Sequence, residues 1–187
     1  MEPLHFSTSA DFRTWLEKNH MESKGIWLCI LKKDSQERSL TYAEALDQAL
    51  CYGWIDGQKK PLDKLSWLQK FTPRRSKSGW SKINTQHVER LINAGAMTPA
   101  GMEVVEAAKA DGRWDAAYAS SRSATPPEDF LKELSKNKQA EAFFKTLNRT
   151  NVYSIVYRLE TARKPETREK RMKTILAMME QGKAFHP

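Results

Sequence analysis

Basic and aromatic side chains are concentrated in one stretch of the 187-residue chain, from residue 50 to residue 83. Between Gly57 and Lys82 this stretch carries six Lys and two Arg but a single acid, Asp63, which gives a net charge of +7. It also carries three of the six Trp of the chain, at positions 54, 67 and 80. Cations neutralise phosphates, and flat rings stack on unpaired bases. The composition therefore favours a surface that binds an anionic partner, either nucleic acid or a phosphorylated ligand.

The segment from residue 74 to residue 79 is predicted to be an exposed loop, because Pro73 should end a strand. Ser78 and Ser81 stand at the predicted N-terminus of the next helix, where backbone N–H groups can bind an anion together with the Arg74 and Arg75 guanidinium groups. A phosphate or carboxylate ligand fits this loop as well as nucleic acid does. The ligand-binding residues predicted in the first half are Trp54, Asp56, Lys59, Lys60, Arg74, Arg75, Ser78, Trp80, Ser81 and Asn84.

A second basic stretch, from Arg163 to Lys173, has six basic residues against two Glu, a net charge of +4. The remainder of the chain then carries −3 of the total of +8, so the basicity is localised and can gather an anionic partner. On a helix beginning near Pro165, Arg168 and Arg171 share one face and are also predicted to bind ligand. If that helix packs against the first half, these two arginines would join Arg74 and Arg75 around one anion. The alternative is a solvated helix side with ion pairs to neighbouring Glu.

The sequence offers little that points to catalysis. It has no Gly-rich phosphate-binding motif and no nucleophile elbow, and its four His are scattered without metal-ligand spacing. Cys51 lies on the apolar stripe of a predicted helix, which favours a core thiol over a nucleophile. The sequence therefore predicts no metal, no cofactor and no catalytic residue, and it favours a non-enzymatic protein.

Two other functions remain open from the same residues. The first is an enzyme or small-ligand protein that uses Asp56 as base or anchor, in a pocket lined by Tyr52, Trp54, Asp56, Trp80 and Asn84. The second is a protein interface, where Trp and Arg are also enriched. The salt dependence of binding distinguishes a nucleic-acid binder from a small-ligand protein. Several phosphate contacts make affinity fall steeply with ionic strength, whereas a small enclosed ligand shows a weak dependence.

The elements that must position these residues are predicted from periodicity and capping signals to form an α+β fold. A small antiparallel sheet with helices in the N-terminal half is followed by a helical C-terminal half. The strands are IWLCIL (residues 26–31), read as a buried strand, and the hairpin of residues 54–60 and 66–72. Thr41 and Glu44 have capping-box spacing before one helix, and another runs from about Ser81 to Asn93.

The predicted domains are residues 1–95 and 96–187, either independent or packed as one unit. A turn is predicted at residues 34–39 and a linker at residues 120–127.

The chain has the composition of an ordinary soluble globular protein, with 40% apolar and 29% charged residues. Its N-terminus lacks the basic and apolar regions of a signal peptide, and no stretch reaches the ~20 apolar residues of a membrane span. Cys29 and Cys51 are predicted to be buried free thiols, which suit a reducing compartment. We therefore expect a cytoplasmic protein without membrane insertion.

Four further motifs stand out in the sequence: GWIDG (Gly53–Gly57), FTPRR (Phe71–Arg75), W-S-x-x-N (Trp80, Ser81, Asn84) and ARKPETREKR (Ala162–Arg171). They resemble those of the bacteriocin-protection family, also called the YdeI or OmpD-associated family, and the resemblance extends from about Phe6 to Gly182. It implies a cytoplasmic protein associated with stress or with resistance to bacteriocins or antimicrobial peptides, for which no reaction or catalytic residue is established. The positive charge argues against direct capture of cationic peptides.

Overall fold

The computed structural model describes residues 2–32, 35, 39–120 and 123–187, and over these residues it contains eight helices and three strands. The sheet lies in the N-terminal half and the C-terminal half is helical, which confirms the predicted α+β class. The predicted turn at residues 34–39 and the predicted linker at residues 120–127 lie partly outside the described residues.

The chain divides into two compact units. The first unit comprises Met1–Trp80 with Asn84–Asp115, and the second unit comprises Ser81–Ile83 with Ala116–Pro187. Residues 96–115 are thus grouped with the first unit, and the domain boundary at residue 95 stays a prediction. No helix among the described residues is long and apolar enough to cross a membrane.

The three strands form one antiparallel sheet in the order β1-β3-β2. They are β1 (Ile26–Leu31), β2 (Trp54–Pro61) and β3 (Ser66–Pro73), as the alternation and the turn signals predict. The turn between β2 and β3 is held by the Asp63 carboxylate, which accepts hydrogen bonds from the backbone N–H groups of Leu65 at 2.8 Å and Ser66 at 2.7 Å. This is the usual role of Asp in a tight turn.

The sheet has one buried face and one partly exposed face. In β1 the side chains of Ile26, Leu28 and Ile30 are buried, whereas Trp27 and Cys29 are partly exposed. The predicted buried strand is therefore buried on one face and partly exposed on the other, since side chains alternate along a strand. The prediction of two buried thiols is corrected in the same way: Cys51 is buried, Cys29 is half-buried, and both are free.

The helices of the first unit begin where the sequence provides caps. Capping boxes at Thr8–Asp11 and Thr41–Glu44 precede α1 (Ser9–Asn19) and α2 (Tyr42–Cys51), so the predicted capping box is confirmed. Helix α1 buries Phe12, whose ring centroid lies 6.0 Å from that of Phe71 on β3. The two remaining helices are α3 (Lys82–Asn93), most of which lies in the first unit, and α4 (Pro99–Ala110).

Helix α4 is fixed to the end of α2 by a close backbone approach. The Thr98 hydroxyl caps α4 and also donates a hydrogen bond to the Cys51 carbonyl oxygen at 2.6 Å. Gly101 lies so near that a Cβ atom on it would stand 2.2 Å from the same oxygen. Only glycine allows this contact between the two helices.

The second unit is a helical bundle around its own apolar core. Its helices are α5 (Glu128–Leu134), α6 (Lys138–Phe144), α7 (Arg149–Glu160) and α8 (Pro165–Glu180), and the last begins with Pro at its first turn as predicted. The core is formed by the buried side chains of Phe130, Leu134, Ala140, Ile155, Leu159, Ile175 and Met179.

We predict that Gly101→Ala destabilises the protein, although alanine normally stabilises a helix relative to glycine. Because the added Cβ atom would overlap the Cys51 carbonyl oxygen, the free energy of unfolding should fall by about 1–3 kcal/mol in urea denaturation. Glu103→Ala, at an exposed position of the same helix, serves as control and should change it by less than about 0.5 kcal/mol. Unchanged or higher stability of Gly101→Ala would contradict the close approach.

Candidate nucleic-acid interface

The partly exposed face of the sheet combines an indole ring with two lysines. Trp27 on β1 lies opposite Lys70 on β3, and Lys60 on β2 lies opposite Leu68 in the next row of the same face. The Lys60 ammonium group is 4.6 Å from the Trp27 ring centroid, and the Lys70 ammonium group is 5.7 Å from it. We call Trp27, Lys60, Leu68 and Lys70 the outer face.

A β-bulge in β2 determines which of its two lysines lies on the outer face, because without the extra residue Lys59 instead of Lys60 would lie opposite Leu68. The register shifts between Asp56, which lies opposite Phe71, and Lys59, which lies opposite Gln69. The buried Gln69 side chain donates hydrogen bonds to the carbonyl oxygens of Gly57 at 2.9 Å and Gln58 at 3.3 Å, so backbone groups near the bulge are satisfied. Bulges reorient side chains in this way.

The cations of the hairpin carry charge that no described carboxylate neutralises. Within the part of the chain that the structure describes, no carboxylate lies within ion-pair distance of the ammonium groups of Lys59, Lys60, Lys64 or Lys70. The carboxylate of Asp63 is bound by its own turn, and these hydrogen bonds, first that of the Ser66 hydroxyl, hold its pKa below the ordinary value. The hairpin thus presents a positive field to solvent.

A pair of aromatic rings, Tyr42 and Trp67, lies on the other side of the sheet, at the edge of a cleft. Lys59 stands 4.0 Å above the Trp67 ring, whose centroid is 5.8 Å from that of Tyr42. The Tyr42 hydroxyl donates a hydrogen bond of 2.8 Å to the Asp56 carboxylate. Tyr42 and Trp67 also line a cleft of about 600 Å³. Asp56 is therefore held in a polar contact next to an open concavity.

Both of the predicted ligand-binding tryptophans are buried. Trp54 is 1% exposed and donates its indole N–H to the His20 carbonyl oxygen at 3.2 Å. Trp80 is 2% exposed and packs against Trp114, with ring centroids 4.9 Å apart. Neither ring has an open side on which a base could stack. The apolar surface of an indole favours burial wherever helices or loops can cover it.

The loop that follows β3 is organised by arginines acting inside the first unit. The Arg74 guanidinium group lies 3.5 Å above the Trp80 ring and donates a hydrogen bond to the Gly79 carbonyl oxygen. Arg113, only 5% exposed, donates to the Ser78 carbonyl oxygen at 3.1 Å and to the Asp111 carboxylate. These bonds assign Arg74 a role in shaping the loop. Arg75 and Lys77, by contrast, are exposed.

The remaining predicted site residues are dispersed over the chain. Ser78 is half-buried, and Asn84 lies within the first two turns of α3. In the second unit, Ser81 forms an isolated β-bridge with Tyr118, and the Lys82 N–H donates to the Tyr118 carbonyl oxygen at 2.9 Å. One of the amides expected to bind an anion at the start of α3 is therefore already bonded.

The second-unit arginines differ from each other in their partners. Arg168 forms an ion pair with Asp129 on α5, which lowers the pKa of that carboxyl group below its ordinary value. Arg171 donates to the Arg158 carbonyl oxygen at 2.7 Å and faces a cavity. Because Arg74 and Arg75 belong to the first unit, a site shared by all four arginines stays a prediction.

Trp27 and Lys70 are the functional candidates that our site prediction missed. Trp27 lies in an apolar run that reads as buried, and only its pairing with Lys70 in the sheet reveals that it points outward. The sequence carried little signal for this exposure, because all six residues of IWLCIL are apolar and such a run shows no polar alternation. No group of three or more His, Cys, Asp or Glu side chains suited to a metal ion occurs among the residues the structure describes.

Comparison with family models finds two matches. Residues 4–104 match a domain of unknown function (DUF8412), and residues 123–182 match the family described as Bacteriocin-protection, YdeI or OmpD-Associated. The chain therefore belongs to the family of this domain of unknown function, and the match over residues 123–182 confirms the predicted bacteriocin-protection family for that part of the chain. The extension of this resemblance to about Phe6 stays a prediction, since residues 4–104 match the other family model. The GWIDG and FTPRR motifs lie in the first match and ARKPETREKR lies in the second. No curated protein and no solved structure matches the chain.

We predict a pH-dependent contribution of Tyr42 to stability. Burial, followed by the charge and hydrogen bond of Asp56, raises the pKa of Tyr42 above its ordinary value near 10. Since the folded state holds this proton more tightly, the stabilisation is complete below pH 10 and is lost as the pH rises further. Wild type should exceed Tyr42→Phe by about 1–2 kcal/mol at pH 8, and the difference should shrink by pH 11 in urea denaturation. A constant difference over this range would contradict the assignment.

Proposed function

We propose that this protein is a non-enzymatic binder of single-stranded nucleic acid, and that the outer face is the surface on which bases and phosphates are held. The observation that carries the proposal is the solvent-facing Trp27 ring with the Lys60 and Lys70 ammonium groups beside it. Single-strand binders combine exactly these two types of group, a flat ring for bases and cations for the backbone.

The interaction energies favour replacement of a lysine by a base on the Trp27 ring. A cation–π contact at an exposed site contributes about 0.5–1 kcal/mol, whereas stacking of a base contributes about 1–3 kcal/mol. A base can therefore displace the Lys60 ammonium group from the Trp27 ring, and the released cation can move to a phosphate. The flexible four-carbon stem of lysine permits this movement without a change in the backbone.

The exposed cations beyond the outer face extend the proposed path of the strand. Lys64 on the hairpin and Arg75 and Lys77 on the following loop are exposed, whereas the exposed Lys59 lies on the opposite side of the sheet. The loop follows β3 directly, so a nucleic-acid backbone leaving the outer face meets further positive charge. Of the residues predicted from the sequence, Lys60 and Arg75 support this function most directly.

The cellular role we attach to this activity is that of a cytoplasmic protein associated with stress or with resistance. It rests on the family described as Bacteriocin-protection, YdeI or OmpD-Associated, whose model matches residues 123–182. The net charge of +8 supports an anionic partner over a cationic peptide.

A small-ligand protein or enzyme is the second candidate, supported by the cleft beside Tyr42 and Trp67. Its volume of about 600 Å³ suits a metabolite, and the hydrogen bond between Tyr42 and Asp56 supplies a polar anchor near its wall. Trp54 and Trp80, which the sequence placed in such a pocket, are core residues. A ligand in the cleft would bind with a weak salt dependence.

We predict that the protein binds a labelled single-stranded oligonucleotide of about 12 nucleotides, and that affinity falls steeply with salt in fluorescence anisotropy titrations. Trp27→Ala should weaken binding by about 5- to 150-fold, because one base loses its stacking partner. The double variant Lys60→Gln, Lys70→Gln should make the slope of log affinity against log salt shallower by about 1.4, since two phosphate contacts are lost.

The matched control is Lys18→Gln, Lys109→Gln, which removes the same charge from helices of the first unit. It should leave the slope within about 0.3 of wild type, because these side chains do not belong to the outer face. Arg75→Ala reports separately on the loop. An absence of binding at low salt, or equal losses in the control, would refute the proposal and direct attention to the cleft.

A further inference from the structure

The second unit contains a cavity of about 490 Å³ whose walls carry three cations and no carboxylate among the described residues. It lies between α7 and α8, and the segment after α8 contributes Phe185. The lining residues that matter for its chemistry are Arg158, Lys170, Arg171, Thr161, Thr167 and Phe185. The cavity thus combines positive charge, hydroxyl groups and one aromatic wall.

Both arginines of the cavity are anchored through one nitrogen only. Arg171 donates through Nη1 to the Arg158 carbonyl oxygen at 2.7 Å and to the Thr161 hydroxyl at 3.3 Å. Arg158 donates through Nη1 to the Ser154 carbonyl oxygen at 3.2 Å. Their Nε and Nη2 groups have no acceptor among the described residues. A guanidinium group held in this way retains a pair of parallel donors, which is the geometry that phosphate oxygens accept.

The neighbouring cations on α8 are neutralised, whereas those of the cavity are not. Arg168 is paired with Asp129, and Lys173 is paired with Glu169 at 2.7 Å. In the described part of the chain no carboxylate lies within ion-pair distance of Arg158, Lys170 or Arg171. Three clustered positive charges repel one another, and an anion in the cavity would relieve this repulsion.

The aromatic wall of the cavity, Phe185, is held in place by the buried side chain of Asn151 on α7. The Asn151 side-chain oxygen accepts hydrogen bonds from the backbone N–H groups of Phe185 at 3.0 Å and His186 at 2.9 Å. The Phe185 ring lies 4.0 Å below the Arg158 guanidinium group. The cavity therefore offers an apolar surface directly beside its cations.

We propose that this cavity binds a small phosphomonoester whose organic part is aromatic or apolar. Arg158, Arg171 and Lys170 hold the phosphoryl oxygens, the Thr167 hydroxyl supplies a further donor, and Phe185 covers the organic part, while Thr161 positions Arg171. A dianion matches the local charge better than a carboxylate does. This site is distinct from the outer face and does not depend on nucleic-acid binding.

The test is a calorimetric titration of the full chain with phenyl phosphate at low salt. We expect saturable binding with a dissociation constant below about 1 mM. Arg171→Gln should weaken binding by at least about tenfold, because charged hydrogen bonds are lost. Lys170→Gln should weaken it too, and since this side chain has no other described partner, the variant tests the site even if Arg171→Gln unfolds. Phenylacetate and inorganic phosphate should each bind at least about tenfold more weakly than phenyl phosphate.

Arg168→Gln is the matched control, since it removes the same charge from the same helix at a position that does not line the cavity. Its affinity for phenyl phosphate should stay within about twofold of wild type. No saturable binding up to about 10 mM, equal losses in Arg168→Gln and Arg171→Gln, or phenylacetate binding as tight as that of phenyl phosphate would each overturn the proposal. Oligonucleotide affinity of Arg171→Gln should match wild type, which separates this site from the outer face.

Discussion

The burial of only one face of the three-stranded sheet is the constraint on which the first unit depends. Phe71 on the central strand anchors the buried face against α1, where its ring meets Phe12. Because side chains alternate along a strand, the burial of Phe71 places Lys70 on the opposite, partly exposed face, beside Trp27. The same strand register therefore determines which side chains enter the hydrophobic core of the first unit and which form its basic surface. A slip by one residue would exchange them.

Much of the architecture could be read from the sequence because its signals are local. Capping boxes, the Pro at the start of α8 and the alternation in the hairpin each act over a few residues, and the structure confirms the elements that they predict. The exposure of individual rings could not be read in this way. Trp80 is covered by Trp114, which lies 34 positions later, and Trp27 remains partly exposed although it stands in an apolar run. Such contacts depend on tertiary packing, which local composition does not encode.

The arginines and lysines of this chain fall into two groups, those bound to other groups of their own unit and those that a partner can reach, although both are interspersed in the sequence. Arg74, Arg113 and Arg168 each bind a carbonyl, a ring or a carboxylate of their own unit, as suits a planar group with several donors. The ammonium groups of Lys59, Lys60 and Lys70 on the hairpin lie over aromatic rings, and none of them has a carboxylate partner among the described residues. A count of positive charges therefore overstates the number of cations that a partner can reach. In the second unit the charge of Arg168 is neutralised by Asp129, whereas the described partners of Arg171 are an uncharged carbonyl and a hydroxyl.

The single extra residue in β2 decides which charges share a side of the sheet. In a regular strand Asp56, Gln58 and Lys60 would point in one direction, because they are two positions apart. With the bulge, Asp56 stays beside Phe71 on the buried face while Lys60 crosses to the opposite one. The extra residue thus keeps the Asp56 carboxylate on the opposite side of the sheet from the two lysines beside Trp27. The separation of negative from positive side chains therefore depends on the backbone geometry of β2 as much as on its residue types, because the same residues in a regular strand would place Asp56 and Lys60 on one side.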